Sequence, residues 1–217
     1  MSAMWMPAPG QTWPGAAGSF LGMWITMMVA MMLPSLVPML RRYRQAVGGM
    51  GEPRLGWLTA VVGAGYFFFW TLSGVAIFPF GLMWAEAETW QPSLAQIAQI
   101  VAGLAVLIAG AFQFTRWKAR HLACCREAPL CASALPADSN TAWRQGLRFG
   151  LHCGQSCANL MAILIVLGTM DLRAMTFVTA AITVERLAPG GQRAARVVGA
   201  IATGLGLLLV ARAAGLK

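Results

Sequence analysis

The feature that most constrains this chain is a regular alternation. Long apolar runs, nearly free of charge, are separated by short basic segments. The apolar runs cover about 19–40, 55–84, 94–114, 146–170, 172–184 and 197–216. A helix that crosses a bilayer needs about 20 predominantly apolar residues, and five of the six runs reach that length. The fifth, at roughly 13 residues, is the one that could be re-entrant. Inside lipid every backbone polar group must be satisfied within its own segment, so such runs form helices.

The basic residues set an orientation. Arg41, Arg42, Arg44 and Arg54 lie between the first two runs. Arg116, Lys118, Arg120, Arg126, Arg144 and Arg148 lie around the gap between the third and fourth, and Arg186, Arg193 and Arg196 between the fifth and sixth. With six crossings, thirteen of the sixteen Lys and Arg fall on one side, which the positive-inside rule makes cytoplasmic. The sequence therefore predicts an all-α, polytopic transmembrane helical bundle. It is a single domain over 1–217 with six spans, both termini on the outer side, and a cytoplasmic, cysteine-containing loop over about 115–145.

Composition agrees. Hydrophobic residues make up 58% of the chain and charged residues 11%, too little charge to cover the surface of a water-soluble protein of this length. The net charge of +9 would suit nucleic acid in a soluble protein. Here the cations sit between apolar runs, so the partner is the lipid bilayer and not nucleic acid. Met1 to Gly18 carries no Lys or Arg and so lacks the positive region of a secretory signal; the first span is expected to be retained. There is no nucleotide-binding glycine loop, zinc-protease motif or nucleophile elbow, so no enzymatic class is indicated. Gly146, Gly150 and Gly154 recur every four residues, as do Gly199 and Thr203. Small residues at that spacing let helices approach closely, within one chain or across a homo-oligomer.

Three groups carry chemistry. Met27, Met28, Met31 and Met32 form two adjacent thioether columns at i, i+4, with Pro34 and Pro38 expected to kink the helix beyond them. Thioethers select Cu(I) over harder ions, although methionine also fills gaps in apolar helices. The second group is His152, Cys153, Cys157 and Met161. The last three lie on one stripe at i, i+4, i+8, with His152 about 100° round the helix. The third is His121, Cys124, Cys125 and Cys131 in the basic loop. The cytoplasm keeps such thiols reduced, and Lys118, Arg120 and Arg126 would favour thiolate there. Zn(II) suits Cys and His nearly as well as Cu(I) does; the methionines tilt the choice to copper.

Depth links the first two groups. Counted from Leu40 at 1.5 Å per residue, Met32 and Met28 lie ~12 and ~18 Å into the membrane. Counted from Arg148, Cys157 and Met161 lie ~14 and ~20 Å in. If the first and fourth spans meet, the two stripes could share one ion. Gln113 and Glu185 fall near cytoplasmic ends, where Glu185 is expected to pair with Arg186 or with a basic loop. The run Tyr66–Trp70 is read as packing or lipid-facing bulk.

Four segments together resemble a bacterial family of integral membrane proteins described as metal-binding, some of whose members are described as membrane copper chaperones. They are Met27-Met28-Val29-Ala30-Met31-Met32-Leu33-Pro34-Ser35, Ala109-Gly110-Ala111-Phe112-Gln113 leading to Lys118 and Cys125-Arg126, the stretch from Cys153 to Met161, and Glu185-Arg186. The chain departs from the family pattern at Phe112 (usually Tyr), His121 (often Cys), Ser156 (a third cysteine) and Ala158 (commonly Trp). His121 keeps ligand capacity, whereas Ser156 is a poor soft-metal ligand. The resemblance implies a multi-pass protein of the bacterial inner membrane that holds Cu(I) and exchanges it with a donor or acceptor protein. Three alternatives stay open on the residues alone: a cation transporter or channel subunit, a membrane thiol-redox or cofactor-assembly protein, and a structural membrane subunit whose sulfur serves packing only.

Overall fold

A computed structural model describes the backbone of residues 12–47, 51–90, 94–127, 138–167, 172–188 and 190–214; side chains at 84–85, 87–90, 94–98, 123–127 and 167 are outside the description. The described chain is helical: α1 (Trp13–Ala46), α2 (Glu52–Trp90), α3 (Leu94–Phe112), α4 (Arg116–Glu127), α5 (Ser139–Leu167), α6 (Leu172–Leu187) and α7 (Gly191–Ala213). Four of these, α1, α2, α5 and α7, are long and apolar enough to cross a membrane, or five crossings if the bent pair α3–α4 makes one broken span.

Several boundaries differ from the sequence reading, for local reasons. α1 continues through Pro34 and Pro38 to Ala46, and α5 starts at Ser139, well before its apolar run. Asp138 sets that start: its carboxylate accepts from the Thr141 backbone N–H at 3.0 Å, an N-cap. The same Thr141 hydrogen bonds hold the Asp138 carboxyl below its usual value. The segment 115–145, expected to be loop, contains α4. After Phe112 the backbone tightens to i→i−3 bonds, with Gln113 N–H to Gly110 and Thr115 N–H to Phe112. Thr115 then caps the new helix by accepting from Lys118 N–H at 3.3 Å. α3 and α4 meet at 66°. α4 turns Lys118 and Leu122, at i and i+4, inward and leaves Arg116, Trp117 and Arg120 exposed.

Two tight helix pairs frame the interior, α2 with α5 and α3 with α7. In the first, a Cβ on Gly146 would meet the Val62 carbonyl, and one on Gly150 or Gly154 would meet Phe69. In the second, Gly110 lies against Thr203, Gly199 against Gln113 and Gly206 against Leu107. The small-residue stripes are thus filled within the chain. α1 packs on α2 and α6. Trp24 lies over Gly74, its indole N–H donating to the Trp70 carbonyl at 2.9 Å. Apolar side chains also cover outer faces at helical spacing, such as Val197, Ile201, Leu205 and Leu208 on α7.

Candidate metal centre

The sulfur residues of α1 and α5 meet in the interior. Met27, Met28, Met31 and Met32 are all buried, Met28 and Met32 completely. On α5, Cys153, Cys157 and Met161 are buried in the same apolar cluster. Cys153 Sγ lies 3.8 Å from Met32 Sδ, and Cys157, one turn further on, is buried as well, with its Sγ 3.8 Å from the Gly154 carbonyl. The backbones of α1 and α5 are not close neighbours; the two long sulfur side chains close the gap between them.

The depth reckoning is off by one turn, because it pairs Met32 with Cys157 and the contact is with Cys153. The cause is the helix ends. Measured from the ends the structure shows, Met32 is fourteen residues from Ala46 and Cys153 fourteen from Ser139, so both lie ~21 Å along their helices.

The aromatic run on α2 is more than bulk. Tyr66 is fully buried, and its hydroxyl is 2.9 Å from Cys153 Sγ. A tyrosine hydroxyl in mid-helix needs a buried partner, which is the signal that could have found it.

A layer of charge lies beside the sulfur. Lys118, Glu185 and Arg186 are buried, although Lys118 and Arg186 count as loop cations in the sequence reading. Lys118 Nζ and Glu185 Oε2 are 2.9 Å apart, with side chains 1% and 3% exposed. This bears out the pairing of Glu185 with the basic segment rather than with Arg186. Lys118 is therefore committed to Glu185. Gln113 donates to the other oxygen, Oε1, at 2.8 Å. Lys118 also donates to the Ser156 carbonyl. Arg186 Nη2 donates to the Cys153 carbonyl at 3.1 Å and to the Ser156 hydroxyl. Asn159 donates to the Ala109 carbonyl at 3.2 Å, tying α5 to α3. Three regions distant in sequence, Gln113 with Lys118, Ser156, and Glu185 with Arg186, therefore converge beside Cys153.

The family's sequence model matches residues 21–209 and describes a copper chaperone, PpoB2. This chain belongs to that copper chaperone family. No curated protein and no solved structure matches it. In this copper chaperone family member the remaining candidate ligands are placed as follows. His152 is half-buried beside Cys153. His121, on α4, has its ring 4.1 Å from that of Trp117. Cys124 and Cys125 lie on α4 with side chains outside the description, and Cys131 lies outside the described residues altogether. Among the described residues, no three His, Cys, Asp or Glu side chains gather as a metal cluster; the donors that do gather are two thiols with methionine thioethers.

Proposed function

We propose that this copper chaperone family member lies in the bacterial inner membrane and carries Cu(I) as cargo between α1 and α5. Cys153 and Cys157 would supply thiolates and Met32 a thioether, with Met28 and Met161 in reserve along the same two stripes. The observation that carries this reading is the 3.8 Å approach of Cys153 Sγ to Met32 Sδ. Two sulfurs at that separation can both sit ~2.3 Å from one ion, at an angle near ~110°. Soft, low-charge ligands in an apolar interior suit Cu(I).

The topology we propose keeps six crossings with both termini outside. That arrangement leaves the exposed cations Arg41, Arg42, Arg54, Arg116, Arg120, Arg144, Arg148, Arg193 and Arg196 on one side, as the positive-inside rule requires. His121, Cys124, Cys125 and Cys131 would then face the cytoplasm, where a thiol and imidazole set could exchange the ion with a donor or acceptor protein.

The test is the metal content of purified, detergent-solubilised protein after growth with copper or zinc, beside a Cys153→Ser/Cys157→Ser variant. Near-stoichiometric copper that the variant loses is the expected result. Equal copper in both proteins, or none in either under reducing and anaerobic handling, would refute it.

A further inference from the structure

Resting on that reading, we infer that α4 is a lid over the sulfur site, latched by the Lys118–Glu185 pair at the cytoplasmic surface of the bilayer. The ion enters and leaves beneath it without crossing the membrane.

Helix length places the bilayer. A hydrocarbon core of about 30 Å takes about 20 helical residues. α1, α2 and α5 have 34, 39 and 29 residues, so each overruns it. α3 and α6 have 19 and 16 and cross only if nearly their whole length lies inside. Both end in the charged layer: Gln113 directly follows α3, and Glu185 and Arg186 lie in the last turn of α6. α7 agrees. Its Gly199 lies against Gln113, and its exposed Arg196 and Arg212 are sixteen residues apart, ~24 Å. The two longest helices agree as well when counted outward from the sulfurs. Met32 is nineteen residues from the exposed Trp13, and Tyr66 twenty from the exposed Glu86, ~29 and ~30 Å. The charged layer and the sulfurs beside it therefore stand at the cytoplasmic edge of the hydrocarbon. Fourteen residues each of α1 (33–46), α2 (52–65) and α5 (139–152) extend past it, with Arg41, Arg144 and Arg148 exposed.

α4 lies across that edge. It leaves α3 at 66° through a turn of i→i−3 bonds from Gln113 to Thr115. It exposes Arg116, Trp117 and Arg120, residues suited to a headgroup layer. Its hold on the bundle is narrow. Among its described side chains, Lys118 and Leu122 are the buried ones. Lys118 Nζ reaches Glu185 Oε2 at 2.9 Å, the Ser156 carbonyl and Asn159 Oδ1 at 3.4 Å. Ser156 stands between Cys153 and Cys157 in α5, so the cation that fastens α4 sits on the turn that joins the two thiols. An ion pair taken out of water gains little over its hydrated state. Such a latch opens where an equal area of apolar packing would stay shut. His121, Cys124 and Cys125 lie on the same helix, so residues proposed for exchange with a partner move with the lid.

The experiment is labelling with a membrane-impermeant maleimide in inside-out and right-side-out membrane vesicles. The full-length protein carries Cys124→Ser, Cys125→Ser and Cys131→Ser, so that Cys153 and Cys157 are the thiols read. Lys118→Met/Glu185→Gln removes the latch without stranding a charge, and Leu122→Ala loosens the other anchor with the ion pair intact. Labelling is expected in inside-out vesicles, whose cytoplasmic face is outward, and about tenfold faster in either variant. Copper loading and release to a chelator should quicken together, with affinity kept within about threefold, because a lid changes rates and not the bound state. Labelling from the outer face, or a cytoplasmic rate unchanged in the double variant, overturns the inference. Where that variant does not fold, an unchanged rate in Leu122→Ala overturns it. So does affinity lost with no gain in rate, the mark of a merely structural contact. A protein that binds copper through Cys153 and Cys157 yet gives those results defeats the lid alone. One that holds no copper defeats the copper reading, whatever its labelling.

Discussion

Two faces of α5, one turn apart, are built from opposite materials. Toward α1 and α2 it presents Cys153 and Cys157, which meet Met32 and the Tyr66 hydroxyl. Toward α4 and α6 it presents Ser156 and its backbone, which receive Lys118 and Arg186. The sulfur face is apolar and nearly neutral, and it could be replaced by hydrocarbon with little loss of packing. The charged face cannot be trimmed one group at a time, because each member neutralises or satisfies another. The difference separates what the helix bundle needs in order to fold from what it needs in order to hold an ion.

The largest expected effect follows on the charged face. Lys118→Met leaves Glu185 as a buried carboxylate whose remaining partner among the described residues is Gln113. Removing one member of a buried ion pair costs about 3–5 kcal/mol. Thermal or denaturant unfolding in detergent should show that loss. Adding Glu185→Gln should recover more than half of it, since the double variant has no stranded charge. A double variant as unstable as Lys118→Met alone would mean that the pair does not act as a unit, and the contrast between the faces would fail.

A smaller effect on stability, and a larger one on cargo, belongs to the sulfur face. Met32→Leu is close to volume-conserving and should cost less than about 1.5 kcal/mol. It removes the α1 thioether that lies 3.8 Å from Cys153 Sγ, so bound copper should weaken at least tenfold by competition against a chromogenic Cu(I) chelator. Full copper affinity in Met32→Leu would take Met32 out of the ligand set.

The two faces were not equally legible in the sequence. Cys153, Cys157 and Met161 share one helix stripe, and Met28 and Met32 share another, so a period of 3.6 residues displays them at once. Their register needed the true helix ends, which Asp138 sets for α5 and which apolar runs alone misplace. The charged face has no period to display. Gln113 meets Glu185 across 72 residues and Lys118 meets Ser156 across 38, and each residue looks like an ordinary end-of-span charge. Only the family resemblance grouped Gln113, Lys118 and Glu185-Arg186, and it did so without saying that they touch. α4 was hidden for a related reason: its high charge reads as loop, and the inward placing of Lys118 depends on a carboxylate supplied by α6.

Tyr66 gives the finest test of the contrast, because its side chain brings a polar hydrogen to the sulfur face. In Tyr66→Phe the ring still packs against Phe67 and Trp70, so only the hydroxyl beside Cys153 is lost. A single buried hydrogen bond of that kind contributes about 0.5–1.5 kcal/mol net, well below the cost of Lys118→Met. Its effect on the ion should run the other way. A hydrogen bond to a ligand sulfur withdraws electron density that the metal would otherwise receive, so removing it should hold copper as tightly as wild type or a few-fold more tightly. Slower release to a chelator, with little change in unfolding, is the expected pattern in Tyr66→Phe. Faster release would instead make the hydroxyl a support for the bound state. The 2.9 Å contact would then belong with the charged layer that holds α5 in place, and not with the donors that must let the ion go.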